Sequence, residues 1–406
     1  MTGLDADRHS RTELRAAVAL FALSFTALAL LCAAQRFPMA DVLVYRAEGE
    51  AVVSGADLYG FTVTGWRLPA TYPPFAALLF VPAGWLSLTA TKVAFVVGNT
   101  ALLALLVQLS LRLAAPARAP WHGRGLPVVL AATAAGLWLE PVFQTVVFGQ
   151  INLLLVCLVL WDLGRPGNAR GKGLAIGVAA GIKLTPAIFA VYLLLTGRVR
   201  AGLTALAGFA GTVTLGVLVL PTASVEFWTR RIFETGRVGK AWIVDNQSLQ
   251  GLAARLAHTP EPGVLWLLPA ALVSVAGLAL ARRVYLRQGM DGWGAVVTAF
   301  TALLVCPISW SHHWVWCVPL LVLLASVRAG LWAALAVGVV FTARSLWLVP
   351  KAGGWDLRLA WWQQPLASPY PVLALALLAA VAARCYSGPG SGSDSAASRS
   401  WESTMR

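Results

Sequence analysis

The sequence predicts an all-α polytopic membrane protein, and two observations support this: the composition of the chain and the recurrence of long apolar stretches. Of the 406 residues, 58% are hydrophobic and 12% are charged, and the mean hydropathy is +0.73. A soluble chain carries about 25% charged residues, so a soluble globular fold is excluded. Residues 16–34, 201–220 and 263–281 are each long enough to cross a hydrocarbon core of about 30 Å.

The charged residues indicate a membrane orientation rather than a nucleic-acid partner. The formal charge is +14, from 31 Lys and Arg against 17 Asp and Glu. Many arginines gather in the short loops 165–172, 198–200 and 282–287, which is the pattern of cytoplasmic loops. We therefore predict contact with membrane lipids and no binding of nucleic acid.

The five cysteines show no CxxC spacing, so the sequence indicates neither a zinc site nor a disulfide framework. No Rossmann-type glycine fingerprint is present either. We predict no metal and no other cofactor.

The N-terminal part of the chain predicts a retained helix followed by an outer loop. Residues 1–14 are predicted to be cytoplasmic, and residues 15–34 form an apolar segment that is too long for a signal-peptide core. That helix is followed by the first outer loop, residues 35–73. Within it, residues 41–54 have the mixed periodicity of a helix lying along the interface, and Gly55 would end this helix.

The remaining apolar segments predict roughly twelve transmembrane helices within a domain of residues 15–386. Several segments are shorter than a full span, which indicates a thinned bilayer or a cavity entering from one side. The basic loops place a large outer loop at 222–262 and further outer segments at 308–313 and 350–367. The further spans are predicted at 74–88, 91–113, 126–139, 142–163, 173–182, 184–197, 201–221, 263–283, 293–308, 314–327, 329–347 and 368–384.

Two features complete the predicted topology. The number of membrane crossings counted from the N-terminus differs by one from the number counted back from the basic loops in the second half of the chain. We therefore predict that one short segment between residues 114 and 165 enters the membrane without spanning it. Residues 387–406 are rich in Ser and Gly and are predicted to be a disordered cytoplasmic tail.

Asp41 is the first outward-facing carboxylate, just after the first helix. Partial burial at the water boundary would suit it as a general base, whereas its place before a helix would also suit an N-cap. Glu48, Glu50 and Asp57 share the loop and are interpreted as solvated acids by default.

Lys183 is an ammonium within an apolar run, so it is either a functional cation or a lysine that snorkels to the interface. Gln150 and Asn152 could bind sugar hydroxyls or tie two helices together. Asn246 and Gln247 could hold carbohydrate or belong to an ordinary polar loop.

His312 and His313 stand among tryptophans, which is also typical of an aromatic interface belt. No second cluster at metal-ligand spacing accompanies them.

Several short motifs follow one another along the chain. They are Asp41-x-x-x-Tyr45-Arg46, Gly55-x-x-Leu58-Tyr59, Tyr72-Pro73-Pro74-Phe75, Phe148-Gly149-Gln150-Ile151-Asn152, Lys183-Leu184-Thr185-Pro186, Asp245-Asn246-Gln247-Ser248 and Ser311-His312-His313. With these motifs in family order over about residues 15–350, the chain resembles glycosyltransferase family 87, which contains polyprenyl-phosphate-mannose-dependent α-1,2-mannosyltransferases of phosphatidylinositol mannoside and lipoarabinomannan synthesis.

The resemblance implies a type-C glycosyltransferase fold in which Asp41 is the general base and one of His312 and His313 is an active-site histidine, without deciding which. A departing lipid phosphate needs cations, and Lys183 and Arg46 are the candidates. The remaining motif residues predicted to bind substrate are Tyr45, Tyr59, Tyr72, Gln150, Asn152, Asn246 and Gln247.

The expected reaction is transfer of mannose from a polyprenyl-phosphate sugar to a glycolipid or glycan acceptor, with inversion and an α-(1,2) linkage. The expected location is the bacterial cytoplasmic membrane, with several spans and an outward-facing site. The alternative function is a transporter or flippase of a lipid-linked sugar, which would predict repeated halves and discontinuous helices near the midplane. No repeated halves are visible in the sequence.

Overall fold

The computed structural model describes residues 3–35, 37–114, 125–326 and 330–386. The predicted disordered tail at 387–406 lies outside these residues. Regular structure in the described ranges is helical except for one small antiparallel hairpin, β1 (Thr62–Val63) with β2 (Leu68–Pro69). The hairpin lies in the predicted first outer loop. The prediction of an all-α fold is therefore wrong for these two short strands.

Eighteen α-helices lie in the described ranges, and some of the connections between them are long and contain 3₁₀ turns. The first nine are α1 (Gly3–Ala34), α2 (Ala40–Ser54), α3 (Pro74–Trp85), α4 (Leu88–Ala114), α5 (Gly125–Gly136), α6 (Glu140–Phe148), α7 (Asn152–Leu163), α8 (Leu174–Ile182) and α9 (Ile188–Leu195). The second nine are α10 (Val199–Val219), α11 (Pro221–Thr229), α12 (Leu249–Leu256), α13 (Val264–Gln288), α14 (Asp291–Val305), α15 (Cys317–Ala325), α16 (Leu331–Thr342), α17 (Gln364–Ala367) and α18 (Pro369–Tyr386).

Five helices within the described ranges are long and apolar enough to cross a membrane, so the chain is a multi-pass membrane protein. A sixth crossing would result if α5 and α6, which meet at 77°, formed one broken span. Six further apolar helices are only 10–17 residues long. The five spans are Arg11–Ala34, Leu88–Ala114, Val199–Val219, Val264–Arg287 and Pro369–Tyr386.

Small residues let neighbouring helices approach closely. A Cβ atom on Gly173 or Gly177 would collide with the backbone of α10 at Ala201 or Ala205. In an apolar environment, close backbone approach of this kind is a main source of helix association.

The predicted span at 142–163 is wrong as a continuous helix. α6 ends at Phe148, Gly149 caps it with φ 74°, and α7 begins only at Asn152. Gly149 takes this left-handed conformation without the steric cost that a side chain would impose. The break turns Gln150 and Asn152 into the interior, where they meet α2 and the segment after α14.

Candidate functional site

Asp41 is the second residue of α2 and does not cap the helix. The N-cap position belongs to Met39, whose φ is 49° and whose side chain makes no capping bond, so the interpretation of Asp41 as a cap is wrong. The carboxylate instead lies near the side chain of Gln150 and within reach of the charge of Lys183. Burial raises the pKa of Asp41 to about 6, while the Gln150 side chain and the Lys183 charge act in the lowering direction.

A pair of tyrosines fixes the orientation of Gln150. The hydroxyls of Tyr45 and Tyr72 donate to Gln150 Oε1 at 3.2 and 3.1 Å and lie 3.0 Å from each other. Since Oε1 is occupied in this way, the amide nitrogen is the end that is available to Asp41. Tyr45 is fully buried and stacks on Phe80 with ring centroids 4.2 Å apart. The position of Asp41 is therefore set by segments far apart in the sequence.

Lys183 lies where α8 ends, and its ammonium points into the protein. Nζ donates to Asn152 Oδ1 at 3.1 Å and lies 3.0 Å from His313 Nε2 and 5.4 Å from the centroid of the Tyr72 ring. These partners are all neutral, and no ion pair of Lys183 is found in the described ranges. This geometry does not fit a snorkelling lysine, and it leaves a cation without a carboxylate in contact.

His312 and His313 occupy one 3₁₀ turn, Ser311–Trp316, but have different surroundings. Because His313 Nε2 faces the Lys183 ammonium, it is the acceptor, and the ring proton resides on Nδ1. The backbone carbonyl of His312 accepts from Asn152 Nδ2 at 3.0 Å and from Thr145 Oγ1 at 3.1 Å. The His312 ring packs on Phe148, and its buried Nε2 has no hydrogen bond to any described residue.

A cavity of about 530 Å³, its open mouth included, is lined in part by Lys183 and His313. Its polar lining is confined to Asn152, Lys183, Thr185, Ser309 and His313 together with the thiol of Cys306. The rest of the lining is apolar and consists of Leu155, Val156, Val159, Pro186, Phe189, Ala299, Ala302, Leu303, Val315 and Trp316.

Asn246 and Gln247 are fully buried, and their amide groups bind the protein backbone. Asn246 Nδ2 donates to the carbonyls of Ala241 and Pro307, and its Oδ1 accepts from Ser309 N at 2.8 Å. Gln247 Nε2 donates to two carbonyls at 2.6 and 2.7 Å, and its Oε1 accepts from Tyr370 N at 3.3 Å. Asn246 thus fastens the large loop against the segment that leads into the histidines, and Gln247 fastens it to α17 and α18.

Arg46 and Tyr59 lie outside the group around Asp41 and Lys183. The Arg46 guanidinium donates to the carbonyls of Ala83 and Leu86, both at 2.6 Å, at the end of α3. The Tyr59 hydroxyl donates to the Tyr72 carbonyl at 2.9 Å, so it supports the segment that carries Tyr72.

The sequence did not predict the burial of Glu48, Glu140 and Arg255, and all three are buried. The expectation that Glu48 is solvated is wrong, since it is 1% exposed. Glu140 accepts from the Tyr370 hydroxyl at 2.6 Å, and Arg255 donates to the carbonyls of Trp242, Ile243 and Asn246. The i, i+4, i+7 spacing of residues 41, 45 and 48 was an available signal for Glu48.

Within the described ranges, no three His, Cys, Asp or Glu side chains are grouped closely enough to hold a metal ion.

Comparison with known proteins identifies relatives along most of the chain. The family model for glycosyltransferase family 87 matches residues 70–307. A polyprenol-phosphate-mannose-dependent alpha-(1-2)-phosphatidylinositol mannoside mannosyltransferase from Mycobacterium tuberculosis is 35% identical over 83% of each chain. The protein of the same name from Mycolicibacterium smegmatis is 31% identical over 84% of this chain and 83% of its own.

A phosphatidylinositol pentamannoside mannosyltransferase from Mycobacterium tuberculosis, also polyprenol-phosphate-mannose-dependent, is 35% identical over 84% of this chain and 81% of its own. No solved structure matches significantly. Since the family model covers more than half of the chain and these relatives align over more than four fifths of it, the chain belongs to glycosyltransferase family 87.

Proposed function

We propose that this chain is a mannosyltransferase that moves mannose from polyprenyl-phosphate-mannose to a glycolipid or glycan acceptor, with inversion and formation of an α-(1,2) linkage. The observation that carries the proposal is that Asp41, a carboxylate, lies within the electrostatic reach of Lys183, a cation with no ion-pair partner among the described residues, and that Lys183 lines a largely apolar cavity. The names of the Mycobacterium tuberculosis relatives support the same donor, and they support phosphatidylinositol mannosides as acceptors.

The donor phosphate binds at Lys183 and His313. Lys183 supplies a positive charge that no described carboxylate contacts, and charge-assisted hydrogen bonds to phosphate are the strong ones. His313 can turn its ring proton on Nδ1 toward the same anion or hold the lysine through Nε2. The apolar lining of the cavity beyond them suits the first isoprenoid units of the lipid.

Asp41 takes the proton from the attacking hydroxyl of the acceptor. As the new bond forms between that oxygen and the anomeric carbon, the bond from this carbon to the phosphate oxygen breaks, and its electron pair stays on the phosphate. The proton ends on the Asp41 carboxylate, and Lys183 stabilises the charge that grows on the leaving group. A single displacement of this kind converts a β-linked donor into an α-linked product.

Tyr45, Tyr72 and Gln150 hold Asp41, and Asn152 holds Lys183. Tyr59 supports the segment of Tyr72, Asn246 and Gln247 support the histidine turn, and Arg46 attaches α2 to the end of α3. These residues contribute to substrate binding indirectly, by positioning the side chains that contact the substrates.

The protein lies in the bacterial cytoplasmic membrane with the site facing outward. In this arrangement residues 35–73, 222–262 and 350–367 are outside, α2 lies along the interface, and roughly twelve segments cross. The 77° bend between α5 and α6 has the form that a dipping segment between residues 114 and 165 would have, and so supports this topology.

The test is reconstitution in proteoliposomes with polyprenyl-phosphate-mannose and phosphatidylinositol mannosides. We expect a mannosylated lipid with a new α-(1,2) linkage from the wild type, and none from Asp41→Asn. Glu50→Gln is the matched control, because Glu50 lies on the same helix but its side chain is 61% exposed. Movement of the donor across the bilayer without its consumption would contradict the proposal and support the transporter alternative.

A further inference from the structure

Glu48 is a second carboxyl group on the buried face of α2 that also carries Asp41 and Tyr45. It is 1% exposed, and neither carboxyl oxygen has a well-formed hydrogen bond to a described residue. The backbone N–H of Thr71 lies near the carboxyl group and acts to favour its ionised form. At the adjoining Gly49, α2 comes so close to α3 that a Cβ atom would meet the carbonyl of Phe80.

None of the described cations lies within ion-pair distance of Glu48. The groups that act on it are Asp41 and Tyr45 from α2, and Tyr59, Thr71 and Tyr72 from the segment before α3.

The basic side chains around this region are engaged elsewhere. Arg237 donates to the carbonyls of Tyr59 and Ala70, Arg231 pairs with Glu226 and Glu234, and Arg46 faces the end of α3.

A carboxylate that is taken out of water without a cation or hydrogen bonds is strongly disfavoured and takes up a proton instead. The negative charge of Asp41 acts in the same direction. Burial, followed by this charge, holds the pKa of Glu48 well above its usual range. Asp41 differs, because Gln150 and Lys183 favour its ionised form.

We propose that Glu48 is a positioning residue that acts as a protonated acid, keeping the buried face of α2 at one negative charge so that ionised Asp41 can share Lys183 with the donor phosphate. This inference rests on the proposed function for its link to the donor. Lys183 is the one described cation whose charge reaches Asp41. A third negative charge beside the carboxylate and the phosphate would therefore oppose donor binding. At alkaline pH, ionisation of Glu48 should weaken donor binding.

Infrared difference spectroscopy on the purified full-length protein tests the protonation state without any need for turnover. Subtraction of Glu48→Gln from the wild type should leave the C=O stretching band of a protonated carboxylic acid at neutral pH, and this band should vanish only at alkaline pH. The same subtraction with Glu50→Gln should leave no such band. If Glu48→Gln does not fold, Glu48→Met serves as the reference, and absence of the band at neutral pH would overturn the proposal.

Coupling to Asp41 gives a second readout. In Asp41→Asn, the loss of the neighbouring charge should move the titration of the Glu48 band to lower pH, and an unmoved titration contradicts the coupling.

Kinetics separate positioning from catalysis. Glu48→Gln should change kcat by less than about tenfold, against about a hundredfold or greater loss for a missing general base. When the pH is made alkaline, the KM of Glu48→Gln for the donor should rise less than the KM of the wild type. A loss of kcat as large as that of Asp41→Asn would overturn the inference. A preparation that shows the band but transfers no mannose would count against the proposed function alone.

Discussion

Two groups of buried charges in this protein differ in how completely they are satisfied. Between α7 and α8, Asp162 accepts from the backbone N–H groups of Gly173, Ala175 and Ile176 at 2.8, 3.0 and 3.3 Å and pairs with Arg165 at 3.5 Å. Asp291 on α14 likewise pairs with Arg198 at 2.8 Å, although the second guanidinium nitrogen of Arg198, Nη2, is buried without a hydrogen bond to a described residue.

The charged and polar side chains around Asp41 are not satisfied by hydrogen bonds and ion pairs in this way. Lys183 has only neutral partners, the oxygens of Glu48 have no well-formed bond, and Nε2 of His312 is buried without one, as far as the described residues show. Buried polar groups are normally satisfied, because an unpaired one costs free energy. The bonds of the first group indicate a structural role, whereas the unsatisfied groups around Asp41 are consistent with the proposed substrate site.

The largest effect that sharpens this comparison is expected from Lys183→Met. The change keeps a long unbranched side chain but removes the charge that stabilises the leaving phosphate, so kcat/KM for the donor should fall about a hundred- to thousandfold. Steady-state mannose transfer in proteoliposomes measures it. Lys172→Met is a control outside the site, since Lys172 binds backbone carbonyls near Asp162. Equal losses in the two variants would contradict the assignment of Lys183.

The pH dependence of transfer should follow Asp41, whose pKa is about 6. Only the ionised carboxylate can accept the proton, so activity is low where Asp41 is protonated and rises as the pH increases. Below its pKa, kcat/KM should rise about tenfold per pH unit, and it should then stay level until alkaline pH weakens donor binding. A pH profile measured with saturating acceptor checks this. An acid limb centred near the ordinary aspartate value, well below 6, would count against Asp41 as a buried base.

The smallest effect on catalysis is expected from Asp162→Asn, which instead affects stability. The carboxylate accepts three backbone N–H groups at the start of α8, so its loss should cost about 1–3 kcal/mol of folding free energy. Thermal unfolding in detergent should show a lower Tm, while turnover per folded molecule stays near that of the wild type. A large loss of turnover in folded protein would remove the distinction between the two groups.

Local signals in the sequence predicted much of the fold. Apolar length predicted a multi-pass protein, Gly55 marked the end of α2, and Lys183 with Thr185-Pro186 marked the break after α8. The break at Gly149 was missed because long apolar stretches flank it on both sides, although Gly149, Gln150 and Asn152 interrupt them.

The site depends on contacts that no local pattern contains. Tyr45 meets Gln150 across 105 residues, and Lys183 meets His313 across 130. Whether a carboxylate such as Glu48 is solvated or buried likewise depends on distant segments that cover it. The residue types at the site could be predicted, whereas their partners could not.

The most direct test compares Asp41→Asn with Asp162→Asn in the same proteoliposomes, with turnover corrected for folded protein. Each variant neutralises one buried aspartate, but only Asp41 belongs to the group proposed to carry the chemistry. The expected result is a loss of at least about a hundredfold in mannose transfer for Asp41→Asn and near wild-type turnover for Asp162→Asn. Full turnover by Asp41→Asn, or equal losses in both variants, would contradict the account.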